Sequence, residues 1–142
     1  MSETSSIPKK VIINCDGGSR GNPGPSASGF VIQDPKDMEV VADGGKFLGI
    51  TTNNQAEYRA VLHALEMAKD LGIEEIEFRL DSLLVVNQMK GIYKVKNKDL
   101  WVVYEQIKKL ATEFKNVTYN HVLREYNKLA DAKANQLMDE NR

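Results

Sequence analysis

TNNQAEYRAVLHALEMAKDLGIEEIEFRLDS, Thr52 to Ser82, changes its apolar period partway along. Tyr58, Val61, Leu62, Leu65, Ala68 and Leu71 recur at helical spacing, which predicts an amphipathic helix. Thr52 and Gln55 are spaced as a capping box at its start, and Gly72 stands at its end. From Ile76 the period falls to two. Ile76, Phe78 and Leu80 alternate with charged residues, as in a half-buried strand, and the run stops at Asp81. A strand that follows a helix so closely belongs to a strand–helix–strand unit. The fold is therefore α/β and contains parallel strands.

On the amino-terminal side, Val11–Cys15, Ser26–Gln33 and Glu39–Phe47 read as three strands, with Pro35 and the Gly44-Gly45 pair as breakers. On the carboxyl-terminal side, SLLVVNQMKG reads as a short helix closed by Gly91. Asn97 is a candidate N-cap for a helix traced by Leu100, Val103, Tyr104, Ile107, Leu110, Ala111 and Phe114. NVTYNHV alternates as a last strand, and NKLADAKANQLMDEN closes the chain as a helix with Asn127 as its candidate cap. The order is βββαβααβα, a mixed sheet flanked by helices. Residues 1–8 read as a disordered tail and residues 9–140 as one domain.

The 142 residues carry 42% apolar and 27% charged side chains, ordinary for a soluble globular protein. No apolar run approaches the roughly 18 residues of a membrane helix. One cysteine, Cys15, cannot form an internal disulfide, and MSETSSIPKK lacks a secretory core, so the expectation is a reducing cytoplasm. Cys15 itself reads as a small buried strand residue. A net charge of −1 argues against coating nucleic acid by bulk electrostatics. It leaves room for a local basic surface at Lys90, Lys94, Lys96 and Lys98, with Lys108 and Lys109 on the following helix.

Asp16 and Asp81 each end an apolar strand at the carboxyl edge of the sheet, where open α/β sheets bind ligands. Glu57, placed in the first turn of the long helix, shares a side with Val61, Ala64 and Ala68, so it faces inward. Asp131, in the first turn of the last helix, shares a side with Ala134 and Met138. Singly, each acid has an ordinary explanation as a turn residue or a complement to a helix dipole. Converging together, like charges about 4 Å apart repel by about 4 kcal/mol at an effective dielectric of 20. Such a cluster needs cations or raised pKa values, and hard oxygen ligands suit Mg²⁺ or Mn²⁺.

CDGGSRGNPGPSASGFVI, TTNNQAEYRAVLHALEMA, DSLLVVNQMKG and HVLREYNKLADAKAN resemble, in order and spacing, the motifs of type 1 ribonuclease H, which cuts the RNA strand of RNA–DNA hybrids. The resemblance spans Val11 to the last helix. It implies a ribonuclease H-like fold with a five-stranded mixed sheet. It also implies an endoribonuclease leaving 5′-phosphate products, with two Mg²⁺ ions held by Asp16, Glu57, Asp81 and Asp131 and Mn²⁺ as a possible substitute. Two such ions can activate a water and stabilise the departing oxygen, with no protein nucleophile. By the same resemblance Gly17, Ser19, Gly21, Asn22 and Ser82 contact substrate, Asn53 and Asn54 read 2′-hydroxyls, and Thr52 meets a phosphate of the DNA strand. The partner implied is the hybrid duplex, bound by a monomer away from any membrane.

The pattern departs from many relatives in three places. Leu83 stands where a polar side chain is common. GIYKVKNKDL is too short for a basic protrusion, which leaves its lysines as a partial substitute. Arg124 occupies the loop position of a histidine that assists turnover, while His121 sits in the last strand and His63 within the long helix. A noncatalytic hybrid-binding module would more naturally have lost an acid, and another nuclease or resolvase on this fold would not need SRGNPG or TTNN.

Overall fold

The computed structural model describes residues 7–141. Its elements are β1 (Lys10–Ser19), β2 (Gly24–Gln33), β3 (Val40–Thr51), α1 (Asn53–Asp70), β4 (Glu75–Leu80), α2 (Leu83–Met89), α3 (Lys98–Ala111), β5 (Asn116–His121) and α4 (Lys128–Glu140), with a 3₁₀ turn at Arg124–Tyr126. The strands form one sheet in the order β3-β2-β1-β4-β5. β1 pairs antiparallel with β2 and parallel with β4, β2 pairs antiparallel with β3, and β4 pairs parallel with β5. β1 lies at the centre because Val11–Cys15 is apolar enough to be covered on both faces, and it is buried throughout.

Directly opposed residues of an antiparallel pair share a face. Cys15, opposite Phe30, points at α1, its Sγ 3.8 Å from the Ala60 carbonyl. Asp16 lies opposite Gly29, where a Cβ would stand 2.7 Å from the Ala134 nitrogen of α4. The two helices therefore cover opposite faces. On the α1 side Val11, Ile13, Phe30 and Ile32 pack with Tyr58, Val61, Leu65, Val85, Met89, Val103 and Ile107. On the other side the buried Ala130 and Ala134 of α4 let its backbone lie close on β2.

Several boundaries differ from the sequence reading. Gly44 and Gly45 lie inside β3 and do not break it. A Cβ on Gly44 would meet Phe30 Cζ at 2.6 Å, and one on Gly45 the Ser28 carbonyl at 2.2 Å, so these glycines serve close approach and not a turn. β1 likewise runs past the expected strand end at Cys15 as far as Ser19, taking in Asp16, Gly17 and Gly18. Thr52 caps α1 by accepting from the Gln55 amide at 3.2 Å, but the Gln55 side chain pairs with Arg59 Nε instead of completing a capping box. α3 ends at Ala111, and Phe114 packs beside the core just beyond it. Ile7 packs against the core, ahead of the expected domain start, while residues 1–6 of the expected tail lie outside the described residues.

Candidate active site

The parallel ladder between β1 and β4 ends on the pair Cys15 and Leu80, which sets Asp16 and Asp81 side by side at the carboxyl edge. Glu57 reaches the same place from α1. It lies one turn deeper than expected: α1 begins at Asn53, as the Thr52 cap predicts, and Glu57, the fifth residue after that cap, falls in the second turn. What brings it close is Gly17: a Cβ there would lie 2.2 Å from the Ala56 carbonyl carbon, so only glycine admits the backbone of α1. The Gly17 amide then donates to Glu57 Oε1 at 3.4 Å. Carboxylate oxygens of Asp16, Glu57 and Asp81 lie within 4.8 Å of one another. Asp131, in the first turn of α4, lines the same cavity of about 490 Å³ but stands outside that trio.

Burial and mutual repulsion decide the protonation of this cluster. Asp16 is 8% exposed. Desolvation pushes its carboxyl far above the usual range, and Glu57, Asp81 and Asp131 add to the rise. Glu57 is pushed up to about 8, first by desolvation and then by Asp81, against the lowering effects of the Gly17 amide, the Ser82 hydroxyl and the Arg124 charge. Ser82 also caps α2, accepting from the Val85 amide at 3.3 Å. A divalent cation would relieve the repulsion, and the all-oxygen donor set fits a hard ion.

Beside the acids the first loop is tied to the start of α1. The Ser19 amide donates to Asn53 Oδ1 at 2.8 Å, and the Asn53 amide donates to Asn22 Oδ1 at 3.0 Å. The Ser19 hydroxyl donates to the Gly21 carbonyl. Arg20 pins the loop to α4 through Asp139 at 2.7 Å and Asn135 at 3.3 Å. Asn53 opens onto the acidic cavity, whereas Thr52 and Asn54 line an adjoining groove of about 720 Å³ with Asn22, Arg59 and Asn97. The first loop and the first turn of α1 contribute lining residues to both cavities. An extended polymer laid there would touch the acids and the asparagines together.

A family model described as "Reverse transcriptase-like" matches residues 14–137. The chain is 45% identical over 130 residues to the "Bifunctional protein" of Mycobacterium tuberculosis, covering 92% of this chain and 36% of that protein. It is 45% identical over 125 residues to "Ribonuclease HI" of Halobacterium salinarum, covering 88% of this chain and 62% of that protein. The crystal structure of RNase H1 from that archaeon superposes with a TM-score of 0.88 at 44% identity, covering 92% of this chain and 98% of the other. The chain belongs to the type 1 ribonuclease H family. It spans about a third of the mycobacterial relative and under two-thirds of the archaeal one. LC11-RNase H1, solved in complex with an RNA/DNA hybrid, matches at 40% identity and a TM-score of 0.87 over 92% of this chain and 97% of that one.

Within this ribonuclease H fold Arg124 opens onto the acidic cavity from the 3₁₀ turn, while His121 ends β5 exposed and outside it. Leu83, at the position where a polar residue is common, is 52% exposed. Lys90, Lys94, Lys96 and Lys98 are exposed on the segment leading into α3, whose cap Asn97 walls the groove. His63 lies away from the acids, its Nδ1 3.0 Å from the Ser28 hydroxyl. Sequence reasoning missed the part played by Asn127. It stands at the N-cap position of α4 but makes no capping bond; its side chain turns inward to Asn14, the Cys15 carbonyl and Asp81.

Proposed function

We propose that the chain is an endoribonuclease that hydrolyses the RNA strand of RNA–DNA hybrids and leaves 5′-phosphate ends. The observation that carries this reading is the meeting of carboxylates from β1, α1 and the residue after β4 within 4.8 Å, where Asn53 of α1 is hydrogen-bonded to Ser19 at the end of β1 and to Asn22 in the loop that follows. Asp16, Glu57 and Asp81, with Asp131 on the cavity wall, would hold two Mg²⁺ ions, or Mn²⁺ in their stead. Bound there, such ions supply an activated water and charge stabilisation for the leaving oxygen. The chain's own residues bind and orient. Asp16, whose carboxyl is raised by all three of the other acids, would hold the ions together with them. Arg124 can donate to a phosphate oxygen through its guanidinium.

Gly17, Ser19, Gly21, Asn22 and Ser82 would meet the substrate backbone. Asn53 Oδ1 is engaged by Ser19, which leaves its amide NH₂, with the side chain of Asn54, to meet 2′-hydroxyls. The Thr52 hydroxyl accepts from the Gln55 amide as a cap and keeps its own proton, which would donate to a phosphate of the DNA strand. All of these groups come from one chain, which suits a monomer. Among the described residues no helix is long and apolar enough to cross a membrane, and the buried free thiol of Cys15 suits a reducing cytoplasm. Cleavage of labelled RNA–DNA hybrid, double-stranded RNA and double-stranded DNA, with Mg²⁺ and with chelator, tests the proposal. Mg²⁺-dependent cutting of the RNA strand of the hybrid is expected; no cutting of it would refute the reading.

A further inference from the structure

Asn127 is 1% exposed and uses both ends of its amide. Its Nδ2 donates to the Cys15 carbonyl at 2.8 Å and reaches Asp81 Oδ2 at 3.4 Å, while its Oδ1 accepts from Asn14 Nδ2 at 3.0 Å. Its backbone carbonyl accepts from the Asp131 amide at 3.1 Å. One residue thus touches the residue before Asp16, the Asp81 carboxylate and the amide of Asp131. A capping asparagine would turn its side-chain oxygen to an amide of its own first turn, and that side-chain bond is absent.

We infer that Asn127 is a positioning residue: it fixes the Asp81 carboxylate and the start of α4 against the end of β1, so that the acids keep the spacing a divalent cation requires. This rests on the functional reading above and goes beyond it. The residue type follows from the partners. The Cys15 carbonyl and the carboxylate both need a donor and Asn14 offers one, so only a neutral amide serves all three. An aspartate there would leave the carbonyl without a donor and add a fifth negative group beside the acids. Groups that orient metal-binding side chains commonly change metal affinity or activity by about tenfold to a hundredfold when removed.

The test is a comparison of Asn127→Ala with Asn14→Ala. The second removes the bond to Asn127 Oδ1 but leaves the Asp81 contact. Mn²⁺ affinity of the free protein is measured by titration calorimetry, KM and kcat on the hybrid at saturating Mg²⁺, and stability by urea unfolding. Expected is a loss of Mn²⁺ affinity of about tenfold or more for Asn127→Ala and a fall in kcat with little change in KM. Asn14→Ala should lower stability with Mn²⁺ affinity nearly unchanged. In an Asp81→Ala background, Asn127→Ala should cost less further affinity than in the unaltered protein, since much of its effect passes through that carboxylate.

Equal losses of stability in the two variants with unchanged Mn²⁺ affinity would make Asn127 merely structural and overturn the inference. Should Asn127→Ala not fold, Asn127→Ser, which keeps one donor on a shorter side chain, carries the same comparison. If the unaltered protein binds Mn²⁺ but does not cut hybrid, the functional reading fails and the affinity comparison still decides the role of Asn127. If it binds no Mn²⁺, both fail.

Discussion

Glu57→Gln should stabilise the metal-free protein at neutral pH and leave it unchanged in acid. The carboxyl stands at about 8 in the folded chain against 4.5 as its ordinary value. Folded protein therefore holds this proton at pH 7 while unfolded protein has lost it. A raised folded pKa contributes stability that is full below the unfolded pKa and is lost as pH rises through the folded one. At pH 7 the gap is two and a half units, which at about 1.4 kcal/mol each is a cost of about 3 kcal/mol. Glutamine has no proton to lose, and its Oε1 can still accept from the Gly17 amide. The assay is urea unfolding in chelator across pH 4 to 8, variant minus wild type. His63, pushed down to about 4 chiefly by desolvation, costs both proteins stability as pH falls below its ordinary value, so it cancels in the difference. The expected difference is near zero at pH 4 and about 3 kcal/mol in favour of glutamine at pH 7. Excess Mg²⁺ should reverse the order, because the ion binds the folded carboxylate of the wild type more tightly. A difference independent of pH would refute the account of burial and repulsion.

Asp16→Asn should reduce cleavage by roughly a thousandfold while retaining the fold, because it removes the acid that faces the other three; circular dichroism and a hybrid cleavage assay check both halves. Asn54→Ala should weaken the preference for RNA over DNA in the cut strand by about fivefold, the worth of one hydrogen bond, read by comparing an all-RNA strand with one carrying deoxynucleotides around the cut. Arg124→Ala should lower kcat by about tenfold to a hundredfold, as losing a hydrogen bond from a charged donor does. Its pH–rate profile should gain no inflection between pH 6 and 8, since arginine does not titrate there. His121→Ala should leave that profile unchanged, and loss of a neutral inflection in this variant would move the assisting role from Arg124 to His121.

How far the site could be read from the chain depends on the range of the interaction that fixes each part. Asp16 and Asp81 were legible because each ends an apolar run, and the parallel ladder then converts two local signals into one place. Gly44 and Gly45 were not legible. Their reason for being glycine is the Phe30 ring and the Ser28 carbonyl on the neighbouring strand, which leave no mark in the adjacent residues. Asn127 failed in the opposite way. An asparagine before a helix has a sufficient local explanation as a cap, and its actual partners at Asn14 and Cys15 lie more than a hundred residues earlier in the chain.

Glu57 shows why an acid placed one turn too early on a correctly started helix need not mislead about function. The sequence reading puts it in the first turn of α1 and it lies in the second. Its direction follows from the side it shares with Val61, Ala64 and Ala68, all of them buried. That phase depends on the spacing between helical residues and not on where the helix begins. An error of one turn therefore moves the acid along the helix axis without rotating it away from the sheet. What remained to be fixed was whether the axis came near enough to Asp16. The missing side chain of Gly17 settles that distance by letting the backbone of α1 rest on the end of β1.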